Sequence, residues 1–116
     1  MIKLKTDEEI KIINEGGHLL SKIIHEVGEK AKEGVSTKEL DWLAENSILK
    51  CGGTPAFKNY QPEFSNKPFP TALCVSVNNT IVHGIPSDYL LQNGDLVKLD
   101  LGMKYKGLYT DMAITV

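Results

Sequence analysis

Arginine is absent: all 13 basic residues of the 116 are lysine. Arginine's flat fork is the usual holder of phosphates, so its absence disfavours a phosphate clamp. Cysteine is scarce. Cys51 and Cys74 form no CxxC and no cluster with histidine, which argues against a disulfide scaffold and a structural zinc site. Positive charge is short too, and a net charge of -2 offers no basic face for nucleic acid. No apolar run approaches the roughly 20 residues needed to span a bilayer, so no membrane partner is expected. The start, Met1-Ile2-Lys3-Leu4-Lys5, leads into charged residues and not into an apolar run. A secretory signal is therefore not expected, and a reduced cytoplasm is the expected compartment.

The remaining composition is that of a soluble globular protein, 41% apolar and 24% charged. A chain of 116 residues makes one small domain at most. Thr6-Asp7-Glu8-Glu9 reads as a capping box, and behind it Ile10, Ile13, Gly17, Leu20, Ile24 and Val27 recur at spacings of three and four. This spacing predicts a helix running to about Lys32 and ending near Gly34. Ser36-Thr37-Lys38-Glu39 repeats the capping device ahead of Leu40, Leu43, Ala44 and Ile48, with Gly52-Gly53 as the stop. The span from Thr54 to Pro70 holds four of the five prolines together with Phe57, Tyr60, Phe64 and Phe69, and reads as a long loop. Leu73 to Val77 reads as a strand, with Thr80 to His83 as its return after Asn78-Asn79. Asn93-Gly94-Asp95 marks a turn, and Leu96 to Tyr105 and Leu108 to Val116 read as two further strands around Lys106-Gly107. Two amphipathic helices followed by four short strands predict an α+β fold with an antiparallel sheet. There is no internal repeat and no low-complexity segment.

Asp100 and Asp111 sit inside two of these apolar strands, although aspartate is a poor strand former. If Lys106-Gly107 is a two-residue hairpin turn, paired positions sum to 213. Asp100 then lies opposite Ala113 and Asp111 opposite Gly102, so the acids are diagonal neighbours with Cβ atoms roughly 7–8 Å apart or a little less. Carboxylates so placed repel each other unless a cation sits between them, and two metal ions about 3.5–4 Å apart fit that spacing. A three-residue turn would put the acids on opposite faces. The bland alternative is two solvated surface acids.

Beyond the acids, Asn93 to Gly102 with Tyr109-Thr110-Asp111 resembles the methionine aminopeptidases of the bacterial type, which belong to the pita-bread metallopeptidases. His83-Gly84-Ile85-Pro86 resembles the histidine turn of that family, and Leu73 to Asn78 the strand before it. Gly34 to Asp41 resembles the start of its second helix, and the likeness runs from about Thr6 to Val116. The resemblance implies the N-terminal half of a pita-bread fold, a single incomplete domain over 1–116. It implies Asp100 as a bidentate ligand of one metal, and Asp111 as the carboxylate bridging two divalent ions (Mn, Fe, Co or Zn). His83 would contact the scissile amide and help to stabilise the transition state. Cys74, Phe69, Tyr60 and Phe57 would line the pocket for a methionine side chain. The implied reaction is removal of the initiator methionine from nascent chains whose second residue is small, near the ribosome.

Each of these residues has a structural alternative. A lone histidine at a strand end is commonly a satisfied structural residue. Cys74 is by default a small buried hydrophobe, which does not stop it lining a pocket. His18 and His25 read as surface or boundary residues without a ligand role, Cys51 as a helix-end residue and Trp42 as packing. The family's site takes two aspartates, a histidine and two glutamates, and these 116 residues carry a counterpart only of the aspartates. The chain alone is thus expected to show little or no peptidase activity. Its open sheet face is expected to take either the other half of the fold or a second copy of itself. Two rival functions remain: a non-catalytic peptide- or protein-binding relative, which would tend to lose the aspartates, and a proline-directed peptidase.

Overall fold

Thr6 opens helix α1 (Asp7–Lys30) by a reciprocal capping box. Its hydroxyl accepts from the Glu9 N–H at 3.1 Å, while its own N–H donates to Glu9 Oε1 at 2.9 Å. The computed structural model describes residues 2–61, 63 and 65–116. Phe64, counted above in the aromatic loop, lies outside the described residues. The helix buries Gly16, Leu20, Ile23, Ile24 and Val27. This face is displaced from the expected stripe, and Ile10 is 54% exposed. At Gly16 an added Cβ would touch the Tyr105 side chain at 3.4 Å, whereas one at Gly17 would meet nothing within 4 Å. The helix therefore seats on the sheet at Gly16 and not at Gly17.

Ser36 caps α2 (Thr37–Lys50), accepting from the Glu39 N–H at 3.1 Å. Leu40, Ala44 and Ile48 are buried, and Gly52 takes a left-handed φ of +90° to end the helix. Trp42 lies on the opposite side of α2 from this apolar row and is 68% exposed, so the expectation that it packs is wrong. Among the described residues, no helix is long and apolar enough to cross a membrane.

Four strands follow: β1 (Thr54–Pro55), β2 (Leu73–Val77), β3 (Val97–Tyr105) and β4 (Leu108–Thr115). All pairings are antiparallel and all involve β3. One edge of β3 carries β4, and the other is shared by β2, opposite Val97 to Leu101, and β1, opposite Met103 and Lys104. The β3–β4 turn has φ +49° at Lys106 and +83° at Gly107, the paired positive values of a two-residue type I′ hairpin. Helix α1 packs on β3 and β4, and α2 on β1 and β2. Leu20, Ile24, Leu40, Ile48, Leu73, Leu99, Leu101 and Met103 are fully enclosed between the two layers. The α+β expectation holds.

Two strand assignments change. Thr80 to His83 forms no strand, and β2 pairs instead with β3. The chain turns away at Asn78 (φ +53°), and the Asn78 and Thr80 carbonyls are drawn to the Lys98 ammonium. Thr80 N–H still reaches the Val77 carbonyl at the end of β2, and the chain comes back to β2 at Gly84, whose carbonyl accepts from Val75 N–H at 3.0 Å. Conversely, the first two residues of the expected long loop form β1. The rest of that loop folds on itself. Asn59 N–H donates to Phe69 O at 2.8 Å, Phe69 N–H donates to Tyr60 O at 2.7 Å, and Phe57 meets Phe69 edge to face with centroids 6.5 Å apart.

Candidate metal centre

Alternation along β3 sends Val97, Leu99, Leu101, Met103 and Tyr105 into the core. Lys98, Asp100, Gly102 and Lys104 therefore point to the opposite, open face. Observed pairs include Asp100 with Ala113 and Asp111 with Gly102, the register expected from the two-residue turn. Both acids accordingly share the open face. Asp100 is flanked on its other side by Cys74 of β2.

Asp100 is partly buried, and its carboxyl is pushed up to about 6. Loss of water is the largest cause. The Asp111 carboxyl adds to it, by hydrogen bonding and by charge, while His83 opposes the rise. Two acids therefore interact strongly on a surface partly withdrawn from water, with a histidine close enough for its charge to act on one of them. Cys74 is 4% exposed, and burial beside Asp100, Asp111 and Asp41 pushes its thiol up to about 12. It stays a neutral apolar wall and not a nucleophile.

Phe57 covers Gly102, the residue opposite Asp111. A Cβ at Gly102 would come within 2.8 Å of Phe57 Cε1. Phe57 and its edge-on partner Phe69 are half-buried, so an aromatic wall stands beside the acids. Tyr60 belongs to the same loop but is 64% exposed. His83 is exposed and takes φ +58°, a left-handed conformation uncommon outside glycine though less so for histidine, asparagine and aspartate. His18 and His25 are exposed on α1, away from the sheet's open face, and Cys51 is the C-cap of α2.

Sequence reasoning passed over two positioning residues. Asp41 of α2 accepts from Ala72 N–H (2.9 Å) and Leu73 N–H (3.0 Å), anchoring the start of the strand that carries Cys74. Ser76 Oγ accepts from Gly84 N–H at 3.0 Å, pinning the residue after His83. Strand alternation would have put Ser76 on the Cys74 face. Nothing in the spacing linked Asp41 to Leu73.

The donors suit a hard or borderline divalent cation: carboxylate oxygens that repel each other until a positive charge lies between them. They make an incomplete set, because no group of three or more His, Cys, Asp and Glu is placed to hold a metal among the described residues.

The model of metallopeptidase family M24 matches residues 11–116. Methionine aminopeptidase of Aquifex aeolicus is 40% identical over 116 residues, covering 99% of this chain and 45% of that protein. The crystal structure of methionine aminopeptidase from Rickettsia prowazekii superposes with a TM-score of 0.91 at 31% identity, over 99% of this chain and 44% of that one. An Xaa-Pro dipeptidase from Bacillus anthracis superposes with a TM-score of 0.78 at 27% identity, over 97% of this chain and 29% of its own. The chain thus spans less than half the length of each of these relatives.

Proposed function

The chain belongs to metallopeptidase family M24, and from that premise we propose that it is the N-terminal part of a methionine aminopeptidase acting on the initiator methionine of nascent proteins. Its fold is the α+β pita-bread fold of that family. The observation carrying the proposal is the placement of Asp100 and Asp111 on one open face beside a wall of Cys74 and Phe57. The superposition on the Rickettsia prowazekii methionine enzyme (TM-score 0.91 at 31% identity) is closer than that on the Bacillus anthracis proline-directed one (TM-score 0.78 at 27% identity), which favours the former substrate class.

In this reading Asp100 and Asp111 hold divalent ions, of which manganese, iron, cobalt and zinc all suit a site containing carboxylates and an imidazole. When bound, such ions supply Lewis acidity toward the first peptide carbonyl and lower the pKa of a water. The chain's own residues do the rest of what lies on this face. Cys74, Phe57 and Phe69 form an apolar wall for an unbranched thioether side chain, with Tyr60 further out. His83 donates a hydrogen bond to the scissile amide as charge develops on it. The open face takes the remaining half of the fold, which supplies the other ligands and makes 1–116 an incomplete domain.

Methionine release from a Met-Ala peptide and proline-directed cleavage of an X-Pro peptide, with Mn²⁺ or Co²⁺ added, test the proposal. The full-length gene product should release methionine, and the 116-residue chain alone little or none. Turnover of X-Pro peptides with none of Met-Ala would overturn the substrate assignment. Robust turnover by the 116 residues alone would overturn the half-site reading.

A further inference from the structure

We propose that Lys98 is the positioning residue for His83, tying down the turn that leads to it. Lys98 lies on the open face two residues before Asp100, where a cation would be expected to pair with the acids. Among the described residues no ion pair within 4 Å joins it to either. Its ammonium donates instead to the Asn78 carbonyl, at 2.7 Å, and to the Thr80 carbonyl. Hydrogen bonds from a charged donor are about twice as strong as neutral ones, and two converging carbonyls leave the turn little freedom.

The geometry around the turn assigns the rest. Lys98 and Ser76 are cross-strand partners on β3 and β2. Lys98 holds the segment at 78 and 80, and Ser76 holds it at Gly84. One pair of facing side chains thus grips both ends of the segment that carries His83. Between those ends, the backbone of Ile81, Val82 and His83 makes no hydrogen bond among the described residues. His83 nonetheless keeps a left-handed φ directly before Gly84, which is bonded to both Val75 and Ser76 of β2. Its placement is therefore imposed from the flanks. Using Lys98 on carbonyls also leaves both carboxylates free of a competing cation.

The inference rests on the peptidase reading only for what His83 does, and its test reads geometry, so the two can fail separately. The test is NMR on the 116-residue chain, following amide hydrogen exchange and the His83 ring signals. Lys98→Met should speed exchange at the hydrogen-bonded amides of Thr80 and Gly84 by at least tenfold and move the His83 ring signals, leaving the β3–β4 amides unchanged. Lys98→Arg, which can also reach two carbonyls, should keep both close to the parent. Unchanged Thr80, Gly84 and His83 signals in Lys98→Met would overturn the proposal. Faster exchange spread equally over β3 and β4 would also overturn it, since Lys98 would then act on overall stability alone.

Discussion

Replacing Asp100 by asparagine should make the 116-residue chain more stable at neutral pH while removing one of the two proposed metal ligands. The carboxyl moves from an ordinary value of 3.8 to about 6 on folding. A shift of about two units corresponds to roughly 3 kcal/mol at 1.36 kcal/mol per unit. Asp100 is only partly buried, so solvent screening reduces the usable figure to about 1–2 kcal/mol. The sign follows from proton linkage. Between about pH 4 and 6 the folded chain binds more protons than the unfolded one, so its stability falls as pH rises. Asparagine, with a similar shape and no charge, escapes that loss. With a urea slope of about 2 kcal/mol/M, the midpoint of Asp100→Asn should lie roughly 0.5–1 M above the parent at pH 7.5. The difference should shrink toward zero as pH falls through 6 to below 4. Urea titrations followed by circular dichroism at four or five pH values give the measurement. A destabilised variant at pH 7.5, or a gain that does not depend on pH, would refute the reasoning.

Adding Mn²⁺ should reverse the order, raising the urea midpoint of the parent chain and leaving those of Asp100→Asn and Asp111→Asn unmoved, because only a species that binds the folded state stabilises it. Leu101→Ala removes a fully enclosed side chain and should cost about 2–5 kcal/mol in the same urea assay. Cys74, with its thiol pushed up to about 12, should resist iodoacetamide at pH 8 in the folded chain and react once urea unfolds it, as read by mass spectrometry. Gly102→Val should displace Phe57 from over position 102 and destabilise the chain by about 1–3 kcal/mol, with Phe57 ring shifts in NMR as the local readout.

Where structure depends on near neighbours in sequence, the residues announced it. Thr6 and Ser36 cap the helices they were expected to cap, and Lys106-Gly107 sets the register that brings Asp100 and Asp111 to one face. Where a distant partner decides, local signals misled or were silent. Thr80 to His83 has strand composition, but its turn surrenders two carbonyls to a lysine 18 residues further on. Thr54 and Pro55 have no strand signal and pair only because β3 extends past the end of β2. The face of α1 is set by its contact with the sheet, where Gly16 and not Gly17 lies against Tyr105. The acid pair belonged to the first class. The aromatic wall and the placement of His83 belong to the second, and they came from family likeness and not from spacing.

The β3–β4 hairpin has one more consequence, which concerns time. Its two acids are 11 positions apart and meet through a two-residue turn, whereas Cys74 reaches Asp100 only by a pairing across 26 positions. Hairpins form in about 1–10 μs, and the loop entropy that must be overcome grows with separation. The acids can therefore be juxtaposed while the rest of the sheet is still open. Their mutual repulsion then weighs against the hairpin at its earliest stage, and any divalent cation present would relieve it there. The same short turn that brings the acids together thus also sets how early in folding their repulsion is felt.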